Sequence, residues 1–201
     1  MKARKDQLPI LAVNLCAILS FGIYFIRNFN FEFIIYVGVI TFFLAVIVFT
    51  NDKVNYPNYI LWLLTLWSLM HMAGGSVRVK GILLYELILV PLSETIPIFR
   101  YDQLVHIIGF GTTTLVIYYL LRPLLKPDIA GWWSLSIIIV SAGLGVGAFN
   151  EIVEFIVTIF VRETKVGGYT NTSLDLVSNF IGAIAALLFI RLKIAASPVS
   201  R

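Results

Sequence analysis

The sequence predicts an all-α integral membrane protein: a six-helix transmembrane bundle with an interfacial or re-entrant segment between the third and fourth helices. Three observations carry this. Hydrophobic residues make up 59% of the 201 and charged residues only 13%, with a mean hydropathy of +0.93, whereas about a quarter of a soluble domain is charged. Six apolar segments approach or reach the roughly 20 helical residues that cross a hydrocarbon core. The 15 Lys and Arg residues fall mostly between those segments, where they set orientation rather than fold.

The first span covers residues 8–26. Lys2, Arg4 and Lys5 precede it, as in a signal peptide, but the apolar run reaches Arg27 without a small-x-small site, so an uncleaved helix is expected. The second covers 31–50. The third, 59–73, is short unless its ends are wet. The stretch 81–99, GILLYELILVPLSETIPIF, is broken by Pro91 and Pro97 and carries Glu86 and Glu94, so it reads as interfacial or re-entrant. The fourth span is 104–121, the fifth 132–160, long enough to tilt, and the sixth 174–192. With no internal repeat and no linker, residues 1–201 form a single polytopic membrane domain.

Several function classes drop out. No basic face persists along an element, so no nucleic-acid partner is expected. Cys16 is the only cysteine, which excludes an intramolecular disulfide and a multi-cysteine metal site. Gly143, Gly145 and Gly147 spell GxGxG, but no strand precedes them, and packing is their expected role. Asn14 and Cys16 read as packing residues, and Asn171 to Ser173 as a formal glycosylation sequon. Oligomeric state is left open.

With the N-terminus inside, nine basic residues (Lys2, Arg4, Lys5, Lys53, Arg122, Lys126, Arg191, Lys193, Arg201) face the cytoplasm and six (Arg27, Arg78, Lys80, Arg100, Arg162, Lys165) face out. The positive-inside bias places both termini in the cytoplasm of a multi-pass protein of the cell (inner) membrane.

In that topology the polar residues gather near the outer ends of four helices. His71 ends the third, and Arg100, Asp102 and His106 open the fourth. Asn150, Glu151 and Glu154 lie in the outer half of the fifth, and Asp175 and Asn179 open the sixth. Helical spacing puts Asp102, His106 and Gly109 on one face, Gly143, Gly147, Glu151 and Glu154 on another, and Asp175, Asn179 and Gly182 on a third. The glycines Gly109, Gly143, Gly147 and Gly182 suit close helix packing. Intramembrane carboxylates are costly, about 2.5–3.5 kcal/mol each on insertion scales, and need water, protonation, pairing or a cation. Mixed imidazole and carboxylate donors suit zinc, manganese or iron, with magnesium or calcium if water completes the shell.

The blocks HMAGG from His71, YDQLVHIIGFG from Tyr101, GAFNEIVEF from Gly147 and GGYTNTSLDLVSNFIGA from Gly167 resemble the YjdF-like uncharacterised bacterial membrane proteins. More distantly they are similar to the VanZ-like proteins, with their D-x-x-x-H, Glu-containing and D-x-x-x-N-x-x-G helices. The resemblance covers roughly residues 71–186. It implies that Asp102, His106, Glu151, Asp175, Asn179 and Gly182 occupy the family's polar positions. It also implies a cell-envelope setting, associated with glycopeptide-antibiotic resistance, and specifies no chemistry. Where the VanZ-like pattern has Glu-x-x-Gln, this chain has Glu151-x-x-Glu154.

The expectation is a metal-dependent hydrolase or transferase acting on a lipid or envelope amphiphile from the extracytoplasmic leaflet. His71, Asp102, His106 and Asp175 are its candidate metal ligands, a bound water is the nucleophile, and Glu151 or Glu154 is the catalytic general base. Arg78, Arg100, Asn150 and Asn179 contact substrate, and the segment 81–99 covers the site. Two alternatives use the same residues: a small-molecule or ion-coupled transporter, and a non-catalytic envelope or lipid-binding protein held together by a buried ion-pair network.

Overall fold

The computed structural model describes residues 4–92, 98–125, 132–161, 164 and 166–196. Lys2, Glu94, Pro97, Lys126, Arg162, Lys165 and Arg201, named above for orientation or for breaking a span, lie outside them. Six long helices appear in chain order: α1 Leu8–Arg27, α2 Phe31–Val54, α3 Asn58–Ser76, α4 Tyr101–Leu121, α5 Trp132–Phe160 and α6 Tyr169–Ala196. Five are long and apolar enough to cross a membrane. The exception is α3, whose 19 residues include Thr65, Ser68, His71, Gly74 and Gly75. The protein is thus a multi-pass membrane protein, all-helical among the described residues apart from one two-stranded hairpin.

Local chemistry sets the helix ends. Pro9 opens the first turn of α1, where its missing N–H costs nothing. The Asn30 side chain caps α2 by accepting from Phe33 N at 3.2 Å, and Asn55 ends it in the left-handed region at φ 53°. At the start of α4, the Gln103 side chain accepts from Arg100 N at 2.8 Å. Compared with the hydropathy spans, α4 begins three residues earlier and α6 five residues earlier. Hydropathy undercounts helix ends that carry polar residues.

The segment after α3 is a β-hairpin. Strand β1, Arg78–Val79, pairs antiparallel with β2, Ile82–Leu83, around Lys80 and Gly81 at φ 52° and 85°. Two positive φ values in succession make a primed two-residue turn. A 3-10 turn over Leu84–Glu86 follows, and Ile88 bridges to Arg100. Tyr101 donates its hydroxyl to Met70 O at 3.2 Å and its N–H to Leu87 O at 2.8 Å. The end of α3 and the start of α4 therefore share one end of the bundle.

Helices α4 and α6 form the most extensive pair, and glycines allow it. A Cβ added at Gly182 would lie 2.3 Å from Ile107 O, and one at Gly111 would lie 3.0 Å from Gly182 O. Backbone thus meets backbone with no side chain between. One apolar cluster (Ile10, Tyr56, Ile60, Leu61, Leu115, Val116, Leu135, Ile139, Ala186, Ile190) fills the end holding the α2–α3 turn. A second (Ala17, Phe25, Phe33, Tyr36, Ile40, Met72, Val157) lies toward the end with the hairpin. Between α1 and α3, Asn14 Nδ2 donates to Thr65 Oγ1 at 2.7 Å, so this residue bonds helices together as well as packing. Cys16 is exposed.

Candidate functional site

The polar faces of α4, α5 and α6 meet at the hairpin end. His106 is 5% exposed, Asp175 and Asn179 are 0% exposed, and the Asp102 and Glu151 side chains retain 16% and 8%. His106 Nδ1 lies 3.0 Å from Asn179 Oδ1. An amide oxygen only accepts, so the proton sits on Nδ1 and leaves the Nε2 lone pair free. That Nε2 is 3.5 Å from Asp102 Oδ1. Two ligands each about 2.1 Å from a tetrahedral ion stand about 3.4 Å apart, so the spacing fits a shared cation.

Asp175 completes this group. Ligand atoms of Asp102, His106 and Asp175 all lie within 4.8 Å of one another, as do those of His106, Glu151 and Glu154. Asn171 Nδ2 donates to Asp175 Oδ2 at 2.6 Å and, more weakly, toward Asp102 Oδ2 at 3.3 Å. It thereby holds the two carboxylates together. Asp175 Oδ1, Glu151 Oε1 and Asn179 Nδ2 are buried without a hydrogen-bond partner among the described residues. Leaving such an atom unpaired costs about 1–3 kcal/mol, more for a charged group. The Asp175 oxygen is the clearest case, because the rest of its side chain is fixed and no solvent reaches it. Asn150 Nδ2 donates to Glu154 Oε1 at 2.8 Å, which aims that carboxylate along α5.

The structure brings together Asp102, His106, Asp175, Glu151, Glu154, Asn150 and Asn179. Arg100 joins at the rim, with Nη1 3.4 Å from Asn171 Oδ1. His71 stands apart from both ligand groups. Its ring lies 5.3 Å from Tyr36, 5.8 Å from Trp67 and 5.5 Å from Tyr85, and the Tyr85 hydroxyl bonds its Nδ1. Burial pushes the Tyr85 phenol well above its usual range, so the hydroxyl stays protonated and donates. Arg78 is also separate. It lies on the exposed hairpin, donating to Gly81 O at 3.1 Å, beside a different cleft next to the α1–α2 turn.

Each predicted packing glycine meets a neighbour that a Cβ would strike: Trp67 Nε1 at 2.3 Å from Gly109, Thr114 Oγ1 at 2.2 Å from Gly143 and Asn179 Nδ2 at 2.6 Å from Gly147. Gly147 thus opens the space in which Asn179 reaches His106. Beneath the cluster lie the glycine contacts and the first apolar cluster.

Sequence reasoning missed Glu32, Tyr36, Tyr85 and the role of Asn171. Asn171 extends the stripe Asp175, Asn179 upward by one turn, a signal hidden by ending the apolar span at residue 174. Glu32 and Tyr36 are four apart on α2 and both buried, at 6% and 8% exposure. With His71, Arg100, Asp102 and Glu154 they line a cavity of about 40 Å³ beside the ligand groups.

No curated protein and no solved structure matches this chain. A family model described as "Predicted membrane protein (DUF2238)" matches residues 9–195, which takes in nearly the full length of the six helices and every residue of the cluster. With nearly its whole length matched and its polar residues gathered inside a bundle of membrane-length helices, the chain belongs to this uncharacterised family of membrane proteins.

Proposed function

We propose that this protein is a metal-dependent hydrolase or transferase acting on a lipid or other amphiphile from the extracytoplasmic leaflet of the cell (inner) membrane. The observation that carries the reading is the fully buried, unpartnered Asp175 Oδ1 beside Asp102 and His106. A cation resolves that burial directly. Asp102, Asp175 and His106 Nε2 are its ligands, and Asn179 holds the imidazole in the ligating tautomer. The donor set suits zinc, manganese or iron, with magnesium or calcium if water completes the shell. Such an ion supplies Lewis-acid charge and acidifies water. Glu151, 3.8 Å from His106 Nδ1, is the proton acceptor, and Glu154 is the second acid-base group.

In this reading all six helices cross, α3 with wet ends, and both termini are cytoplasmic. The hairpin and the turn after it lie over the site at the membrane surface. The apolar layer beneath the cluster supports a dead-end site over a conduction path, which would need polar groups through the bundle.

Elemental analysis of purified protein after loading with each candidate ion tests this. About one ion per chain is expected in wild type and in His71→Asn, with loss in Asp175→Asn and His106→Asn at unchanged helicity. Wild type that retains no ion under any loading condition refutes the proposal. Metal-dependent release of a water-soluble headgroup from reconstituted vesicles is the activity readout.

A further inference from the structure

We infer that a pocket at the end of the bundle away from the cluster binds the phosphate of an anionic phospholipid of the phosphatidylglycerol type. The inference goes beyond the hydrolase reading and does not depend on it. The start of α3, the end of α4 and the end of α6 enclose a cavity of about 80 Å³, whose lining includes Tyr59, Tyr118, Tyr119, Arg122 and Lys193 but no carboxylate among the described residues. The rings of Tyr59, Tyr118 and Tyr119 pack against the first apolar cluster, so the core fixes the walls before any ligand arrives.

The polar atoms of this pocket need an acceptor. The Tyr59 and Tyr119 hydroxyls lie 3.2 Å apart. One donates to the other, so the accepting hydroxyl keeps a proton of its own, which meets no acceptor among the described residues. The Arg122 guanidinium stands 5.9 Å from the centre of the Tyr119 ring, a contact that uses no N–H, and its side chain makes no hydrogen bond among the described residues. Lys193 Nζ, 4.2 Å from the centre of the Tyr59 ring, adds positive charge from the α6 side. A phosphate accepts from several donors at once and carries the opposite charge. A headgroup with its own ammonium would set that cation against Arg122, with no carboxylate in the described lining to receive it. The cavity of about 80 Å³ exceeds twice the ~30 Å³ that a water occupies in the liquid, so it takes the charged oxygens of a phosphate while the glycerol and the chains stay outside. The rim is where acyl chains lie: Leu120, Leu188 and Leu192, each next in sequence to a lining residue, are exposed on helices of membrane-spanning length. Interfacial tyrosines and arginines taken singly need no ligand. Here three helices bring them to one cavity, and the hydroxyl pair has a proton over.

Calorimetric titration of the full-length, detergent-purified protein provides the test, with dihexanoyl phosphatidylglycerol, dihexanoyl phosphatidylcholine and glycerol phosphate as probes. Phosphatidylglycerol is expected to bind at least about tenfold tighter than phosphatidylcholine, since a hydrogen bond to a charged group is worth about that factor or more. Raising the salt should shrink the difference. Arg122→Gln should abolish the preference. Lys80→Gln, which removes one positive charge from the exposed hairpin turn at the other end, should keep it. Tyr59→Phe or Tyr119→Phe alone leaves one hydroxyl with its proton free and should change little, whereas the double variant should weaken binding about two- to tenfold. Arg122 is exposed, so without lipid Arg122→Gln should melt with wild type. Equal affinity for the two lipids in wild type, no detectable binding of phosphatidylglycerol, or a preference that survives Arg122→Gln overturns the inference. Glycerol phosphate binding as tightly as phosphatidylglycerol overturns the lipid as occupant.

Discussion

Gly182→Ala should damage the cluster without touching a polar group. The new methyl would sit 2.3 Å from Ile107 O and 2.8 Å from Gly111 N. Both are backbone atoms of a regular helix, so no side chain can turn aside. Reaching the 3.4 Å of ordinary contact requires α6 to withdraw from α4 by about 1 Å, on the steep repulsive side of the dispersion well. That displacement carries the His106–Asn179 pair from 3.0 Å to about 4 Å, beyond hydrogen-bond range. Overpacking costs about 1–3 kcal/mol, and the broken hydrogen bond adds about 0.5–1.5 kcal/mol. Against this, alanine in place of glycine favours a helix by roughly 0.5–1 kcal/mol. Gly145, on α5, supplies the control, because an added Cβ there meets nothing within 4 Å. Thermal melts in detergent should show Gly182→Ala well below wild type and Gly145→Ala at or above it. Metal retention should fall in the first alone. If the two variants melt alike, the backbone contact between α4 and α6 is not what sets the geometry of the cluster.

Other outcomes follow from single contacts. Gly143→Ala drives a methyl to 2.2 Å from Thr114 Oγ1, an atom fixed by its bond to Phe110 O at 2.7 Å. It should destabilise by about 1–3 kcal/mol, and Thr114→Ala should restore most of the loss in a double-mutant cycle; strict additivity would exclude the clash. Asn14→Ala removes the bond to Thr65 and should cost roughly 1 kcal/mol by denaturant unfolding, while an unchanged midpoint would mean the bond contributes nothing. Tyr85→Phe deletes the donor to His71 Nδ1; a loss of about 1 kcal/mol with metal content unchanged is expected, and lost metal would return His71 to the ligand set. Cysteines at Ser76 and Tyr101, in a Cys16→Ser background, should both react with an impermeant thiol reagent from outside intact cells. Labelling from opposite sides would break the shared end on which the cluster depends.

Much of this protein was legible in the sequence because lipid exposure leaves so few options. A chain with 59% hydrophobic residues satisfies its backbone in a bilayer by forming helices, so helix number and rough boundaries follow from hydropathy. Charges that survive inside such helices need a purpose, which is why Asp102, His106, Glu151, Glu154 and Asp175 stood out before any contact was known. Their faces followed from 3.6-residue periodicity, and Gly109, Gly143, Gly147 and Gly182 marked the close approaches. Tertiary structure alone decided which of these residues meet. Whether His71 reaches His106 or turns into a cage of Tyr36, Trp67 and Tyr85 depends on the rotation of α3 against α4, and periodicity fixes a face only relative to its own helix. Asn171 escaped notice because the start of α6 is polar and reads as loop. Glu32 and Tyr36 escaped because α2 has apolar residues on every side, so no stripe separates a buried face from a lipid-facing one until its neighbours are in place.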